Sequence, residues 1–212
     1  MTGCATAPAL HRDAEGWHDV PLPGKARTEY RWEGQGPERE LVARADASAS
    51  MYRRRMASAA QARELEFAWW TQALPEGGDV ATADATDAAA RVLLAFGGDV
   101  KRLSQRNQLQ FELARALTGE TPPYATLTYV WDTRLPVGAV VVHPRSDRVR
   151  KIVVESGNGH VRRWRHYKRS IDADYRLAFG EAPGPLLAVA VMTDGDNTRS
   201  RLHTRYRNIR VA

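Results

Sequence analysis

From Trp17 to the C-terminus no apolar run exceeds the length of a β-strand, and turn residues interrupt the pattern throughout. The longest run, Leu186-Leu187-Ala188-Val189-Ala190-Val191-Met192, falls far short of the ~18 residues that a membrane-spanning helix needs. Alternate side chains of a strand share a face. In Glu64–Leu74 this puts Leu65, Phe67 and Trp69 on one side and Glu66, Ala68 and Trp70 on the other. The same reading predicts strands over Lys25–Trp32, Glu40–Ala45, Ser48–Met56, Arg91–Phe96, Ala125–Trp131, Val137–Val142, Arg148–Glu155, His160–Lys168, Leu186–Met192 and His203–Val211. Pro21-Leu22-Pro23-Gly24, Gly34-Gln35-Gly36-Pro37 and Pro75-Glu76-Gly77-Gly78 are turns, and 79–88 is a loop. Gly157-Asn158-Gly159 predicts a type I′ hairpin turn between the strands on either side of it, because Asn and Gly tolerate positive φ.

Two segments break this pattern. Across 100–118, Val100, Leu103, Leu109, Leu113, Ala114 and Leu117 recur near the 3.6-residue period, and Thr118-Gly119 supplies a stop. Ser170 is placed to cap a short helix over Ile171–Phe179, with Gly180 ending it. About ten short strands with two helical insertions predict a mostly-β, jelly-roll-like β-sandwich rather than alternating βαβ units. The length of 212 residues suits one core. Residues 1–16 are small, polar and unpatterned, a tether, and 17–212 form the domain.

The net charge of +6 is uneven: 15 basic and 16 acidic residues fall in 1–119, against 16 and 9 in 120–212. That imbalance suits a polyanionic partner, and equally the solvated strand faces of an arginine-rich protein. The basic stretch His160-Val161-Arg162-Arg163-Trp164-Arg165-His166-Tyr167-Lys168 carries Arg on both faces. A nucleic-acid platform needs one sided charge, so this stretch is read as an edge strand protected by charge. A single cysteine rules out a disulfide framework within the chain. Its setting, Met1-Thr2-Gly3-Cys4-Ala5-Thr6-Ala7-Pro8, resembles a bacterial lipobox followed by the start of a mature lipoprotein. The expectation is lipidation at Cys4, a membrane anchor and a periplasmic location, with the leader beginning upstream of Met1.

Motifs of metalloproteases, P-loops, nucleophile elbows and dinucleotide-binding turns are absent, and no two of the six histidines stand at metal-ligand spacing. The densest polar cluster is Asp194-Gly195-Asp196-Asn197-Thr198. Its oxygens suit Ca²⁺ or a network of sugar hydroxyls, while a tight turn bonded to its own amides accounts for the same residues. It is not an EF-hand, since no acidic residue follows Asp196 to close the site. Among the tryptophans, Trp69 is read as core. Trp131 is a candidate sugar platform, because polar Asp132 follows it at a strand end.

Several stretches occur in an order that resembles a known bacterial family. They are Tyr129-Val130-Trp131-Asp132, Pro136-Val137-Gly138, Arg148-Val149-Arg150-Lys151-Ile152-Val153-Val154-Glu155-Ser156-Gly157, Asp174-Tyr175 with Phe179-Gly180-Glu181-Ala182-Pro183, and Met192-Thr193-Asp194-Gly195-Asp196-Asn197-Thr198. The family is known as domain of unknown function three thousand and forty-seven, and the resemblance runs from about Trp17 to the C-terminus. It implies a β-sandwich similar to galactose-binding-like carbohydrate modules and an extracytoplasmic setting, and it supplies no established activity. Two positions depart from the family pattern: Gly195 stands where Thr is common, and Asn208 where an acid is common.

These readings lead to one principal expectation: a non-catalytic envelope module that binds saccharide or another periplasmic ligand through Trp131, Asp132, Asp194, Asp196, Asn197 and Thr198. One alternative is a glycan hydrolase or lyase, which requires Asp132 and Asp194 to line one cleft. The other is a structural envelope protein whose basic half rests on anionic polymer or lipid.

Overall fold

A computed structural model describes residue 13 and residues 15–60 and 62–212; Cys4 and most of the expected tether lie outside the described residues. Twelve strands and two α-helices follow in the order β1 (Trp17–Pro21), β2 (Glu29–Glu33), β3 (Glu40–Asp46), β4 (Ala49–Ala60), β5 (Glu64–Thr71), β6 (Ala88–Phe96), α1 (Gln105–Thr118), β7 (Ala125–Asp132), β8 (Val140–His143), β9 (Ser146–Ser156), β10 (Arg165–Ser170), α2 (Ile171–Phe179), β11 (Leu186–Asp194) and β12 (Arg201–Val211). They form a seven-stranded sheet of order β1-β4-β11-β6-β7-β9-β8 and a five-stranded sheet of order β10-β5-β12-β3-β2. The pairings are antiparallel except for β7 with β9. The mostly-β sandwich expected from the strand pattern is therefore the fold.

Period-2 alternation builds the core. Leu65, Phe67 and Trp69 of β5 meet Leu127, Tyr129 and Trp131 of β7, all fully buried. Phe67 stacks on Tyr129 at 5.7 Å between ring centroids, and Trp69 on Trp131 at 6.3 Å. Trp131 also donates its indole N–H to the Gly157 carbonyl at 3.0 Å. A ring so enclosed is a structural element, because its face is already spent on another tryptophan.

Two expectations are corrected in detail. The turn after β9 does not make a hairpin: β10 pairs with β5 in the opposite sheet. A type I′ turn needs positive φ at both central residues. Only Gly157 has it here, at +67°, and Asn158–His160 form a 3₁₀ turn that carries the chain across the sandwich. β10 does lie at a sheet edge, as its charge pattern predicts. The helical stretch is also divided. Val100–Arg102 make one 3₁₀ turn, and α1 starts afresh behind Ser104, whose side chain accepts from the Asn107 amide. The new start rotates the buried face to Asn107 and Phe111, and leaves Leu109 and Leu113 exposed. Asn107 anchors that face by donating to Asp147 at 2.8 Å. By contrast, α2 has the predicted bounds, Ser170 cap and left-handed Gly180.

Candidate functional site

The outward side chains of the seven-stranded sheet fall into rungs set by strand register. One rung runs Arg53–Ala190–Leu93–Thr128–Lys151 across β4, β11, β6, β7 and β9. The next runs Arg55–Ala188–Ala95–Thr126–Val149. Each carries alanine and threonine on β11 and β7 and, at the β4 end, a long basic side chain. Alanine and threonine fill little space above the sheet, so a cleft of about 840 Å³ opens over β11, β6 and β7, inside the range of about 300–1,000 Å³ typical of ligand sites. The segment that leaves α1 closes one end, where Glu120 accepts from Arg53 at 3.1 and 3.2 Å and from Arg55 at 2.8 Å. The loop after β11 closes the other end, with Lys25 paired to Asp196. Beside it Val80 of the loop before β6 packs with Ala88, Val130 and Val153.

Charge is buried in this cleft. Arg91 meets Asp194 at 2.8 Å, and both are more than nine-tenths buried. Burial pushes the Asp194 carboxyl up to about 7; Arg91 opposes this, and Asp196 and Asp87 reinforce it. Asp196 moves the other way. Burial opposes its ionisation, but the hydrogen bond from Lys25, with the positive charges of Lys25 and Arg91, outweighs that and holds it below the usual carboxylate range. Lys151 lies under the 79–88 loop and donates to the Val80 carbonyl. Burial, with Arg91 nearby, lowers its ammonium to about 7. Burial likewise lowers His143 to about 4, helped by Lys151 and Arg91. Its Nδ1 accepts from the Arg145 amide at 3.2 Å.

Polar capacity is left over. Arg53 Nε, Arg91 Nε and Asp194 Oδ1 are buried with no hydrogen-bond partner among the described residues, and all three residues line the cleft. Such orphaned atoms are rare in folded proteins and mark places where a further partner belongs. Among the described residues the lining contains no Phe, Tyr or Trp.

The structure divides the residues singled out from sequence. Asp194, Asp196 and Asn197 line the cleft. Thr198 stands beside them, where its amide and hydroxyl both donate to Asp87 at 2.7 Å. Trp131 and Asp132 are not part of the lining. Asp132 is buried and accepts from the amides of Val80, Arg134 and Leu135, so it organises two loops. The pair Asp132 and Asp194 does not line one cleft, which the hydrolase or lyase alternative required. Sequence reasoning missed Arg53, Asp87, Arg91 and Lys151. For Arg91 a signal existed: if Val92, Leu94 and Phe96 face the core, alternation turns Arg91, Leu93 and Ala95 to the other side.

Comparison with known proteins gives one family and several distant folds. The family model described as Protein of unknown function (DUF3047) matches residues 15–210. No curated protein sequence matches the chain. The family 11 carbohydrate-binding module of a cellulosomal cellulase of Clostridium thermocellum is similar at 8% identity and a TM-score of 0.45, covering 98% of this chain and 95% of its own. The xyloglucanase domain of a type three effector from Sinorhizobium fredii has 8% identity and a TM-score of 0.45, with 92% of each chain covered. The enzymatically active domain of a bacteriophage CBA120 tailspike protein aligns over 93% of this chain at 8% identity and a TM-score of 0.41, and this chain spans 19% of its length.

Proposed function

The chain belongs to the DUF3047 family of proteins of unknown function, and from that premise we propose that it is a saccharide-binding module of the cell envelope. The observation that carries the proposal is the cleft, with two donor atoms and one acceptor atom of its lining residues buried and unpaired among the described residues. A sugar hydroxyl donates and accepts at once, so a polyhydroxylated ligand can serve a guanidinium and a carboxylate through neighbouring hydroxyls. The lack of Phe, Tyr or Trp among the described lining residues makes hydrogen bonding and charge, not ring stacking, the source of affinity. Lys25, Arg53, Arg55, Arg91, Arg145 and Lys151 outnumber the acids Glu120, Asp194 and Asp196, which favours an acidic saccharide over a neutral one.

Titration calorimetry with uronate-containing and neutral oligosaccharides tests this. Acidic ligands are expected to bind more tightly and to weaken as salt screens the charges. Arg53→Met is expected to weaken binding about tenfold, the scale of a lost hydrogen bond to a charged group. Equal affinity for neutral and acidic ligands, or unchanged binding by Arg53→Met, would count against the reading.

The envelope setting belongs to the same proposal and rests on the lipobox-like residues around Cys4. Labelled palmitate fed to expressing bacteria is expected to enter the protein and to be lost in Cys4→Ala. Equal labelling of both would remove the anchor.

A further inference from the structure

Three carboxylates from separate parts of the chain converge at the β11 end of the cleft. Asp87 precedes β6, Asp194 ends β11 and Asp196 follows it, and one oxygen from each lies within 4.8 Å of the others. Asp87 is held in place by the Asn197 amide at 3.2 Å and by the amide and hydroxyl of Thr198, both at 2.7 Å. Asp194 Oδ2 pairs with the Arg91 guanidinium at 2.8 Å. Asp194 Oδ1 is buried and lacks a hydrogen-bond partner among the described residues. Carboxylate oxygens this close repel one another unless a cation lies between them. Arg91 pairs with Asp194 and Lys25 with Asp196, and no cation of the chain pairs with Asp87 among the described residues.

We propose that Asp87, Asp194 and Asp196 bind one hard divalent cation, Ca²⁺ by preference, at the β11 end of the cleft. Oxygens up to 4.8 Å apart suit a shell with metal–oxygen distances of about 2.3–2.6 Å. Ca²⁺ takes six to eight oxygens in flexible geometry, whereas Mg²⁺ demands a compact octahedron. Three carboxylates, two in loops and one at the end of β11, beside a cleft open to water and hydroxyls, match the first requirement. Lys25 competes for Asp196 and sets a limit on affinity.

The test needs no saccharide, so its failure is distinct from failure of the binding reading. Protein stripped with a chelator is titrated calorimetrically with Ca²⁺ and then with Mg²⁺. One Ca²⁺ per chain is expected, with a Kd at or below the millimolar range of extracellular calcium modules and weaker Mg²⁺ binding. Asp196→Asn is expected to weaken Ca²⁺ at least about tenfold, the scale of a lost charged ligand. Lys25→Met is expected to tighten it severalfold by removing the competitor, a gain that damage to the fold cannot produce. No Ca²⁺ binding at millimolar concentration would overturn the proposal and leave a shared proton between Asp194 and Asp196. Affinity unchanged in both variants would overturn it too, by putting the ion elsewhere.

Discussion

Trp131→Ala is expected to lose about 4 kcal/mol of unfolding free energy, within the range of about 3–5 kcal/mol for deleting a buried tryptophan. Its ring has no exposed surface, stacks on Trp69 and donates to Gly157. Alanine would leave a cavity between the sheets and an unpaired carbonyl at the crossing from β9 to β10. In a chain of this length a loss of that size lowers the melting temperature by about 8–16 °C. Chemical denaturation followed by tryptophan fluorescence measures it. The result also separates two roles for the residue. A sugar platform would lose affinity with little change in stability, whereas a core residue loses stability first. A variant as stable as the parent would return Trp131 to the surface.

Glu155→Ala is expected to cost about 3 kcal/mol, because a buried carboxylate with several charged or hydroxyl partners is removed from the seam between the sheets. Glu155 lies on β9 and accepts from Arg165 at 2.7 Å and Tyr167 at 2.7 Å, both on β10, and pairs with His160 at 3.0 Å. Burial opposes its ionisation, yet the hydrogen bonds from His160, Tyr167 and Arg165 outweigh that and lower its pKa. A carboxylate whose folded pKa lies below its unfolded value of 4.5 stabilises the fold above that value. The contribution is lost as pH falls through the folded pKa. The stability gap between parent and Glu155→Gln is therefore expected to be full at neutral pH and to close below pH 4.5. A gap that stays constant down to acid pH would mean that Glu155 does not act through its charge.

Much of the sandwich was legible because strand faces carry a local signal. The alternation of Leu65, Phe67 and Trp69 gave the inner face of β5, and Ser170 with Gly180 gave both ends of α2. Partnership between strands is not local, so Gly157-Asn158-Gly159 looked like a hairpin although Glu155 ties the chain across to β10. The candidate site was half legible for the same reason. Asp194, Asp196 and Asn197 are neighbours in sequence and draw notice together. Lys151 reaches the same cleft from 43 residues before Asp194, and Asp87 meets Asp194 and Asp196 from 107 residues before; only the register of β6, β11 and β9 brings them there. Trp131-Asp132 drew notice as an aromatic beside an acid. In a strand such neighbours face opposite ways: the ring enters the core and the carboxylate caps loops.

The claim that the cleft on the seven-stranded sheet receives the ligand has built-in reporters. Met51 and Met192 line the cleft, while Met56 packs against the core on the other side of β4. With methionine methyl groups labelled, addition of an acidic oligosaccharide is expected to shift the Met51 and Met192 resonances in proportion to occupancy and to leave Met56 in place. Saturable binding that leaves Met51 and Met192 unmoved would contradict the account, because no ligand can fill this cleft without touching its floor.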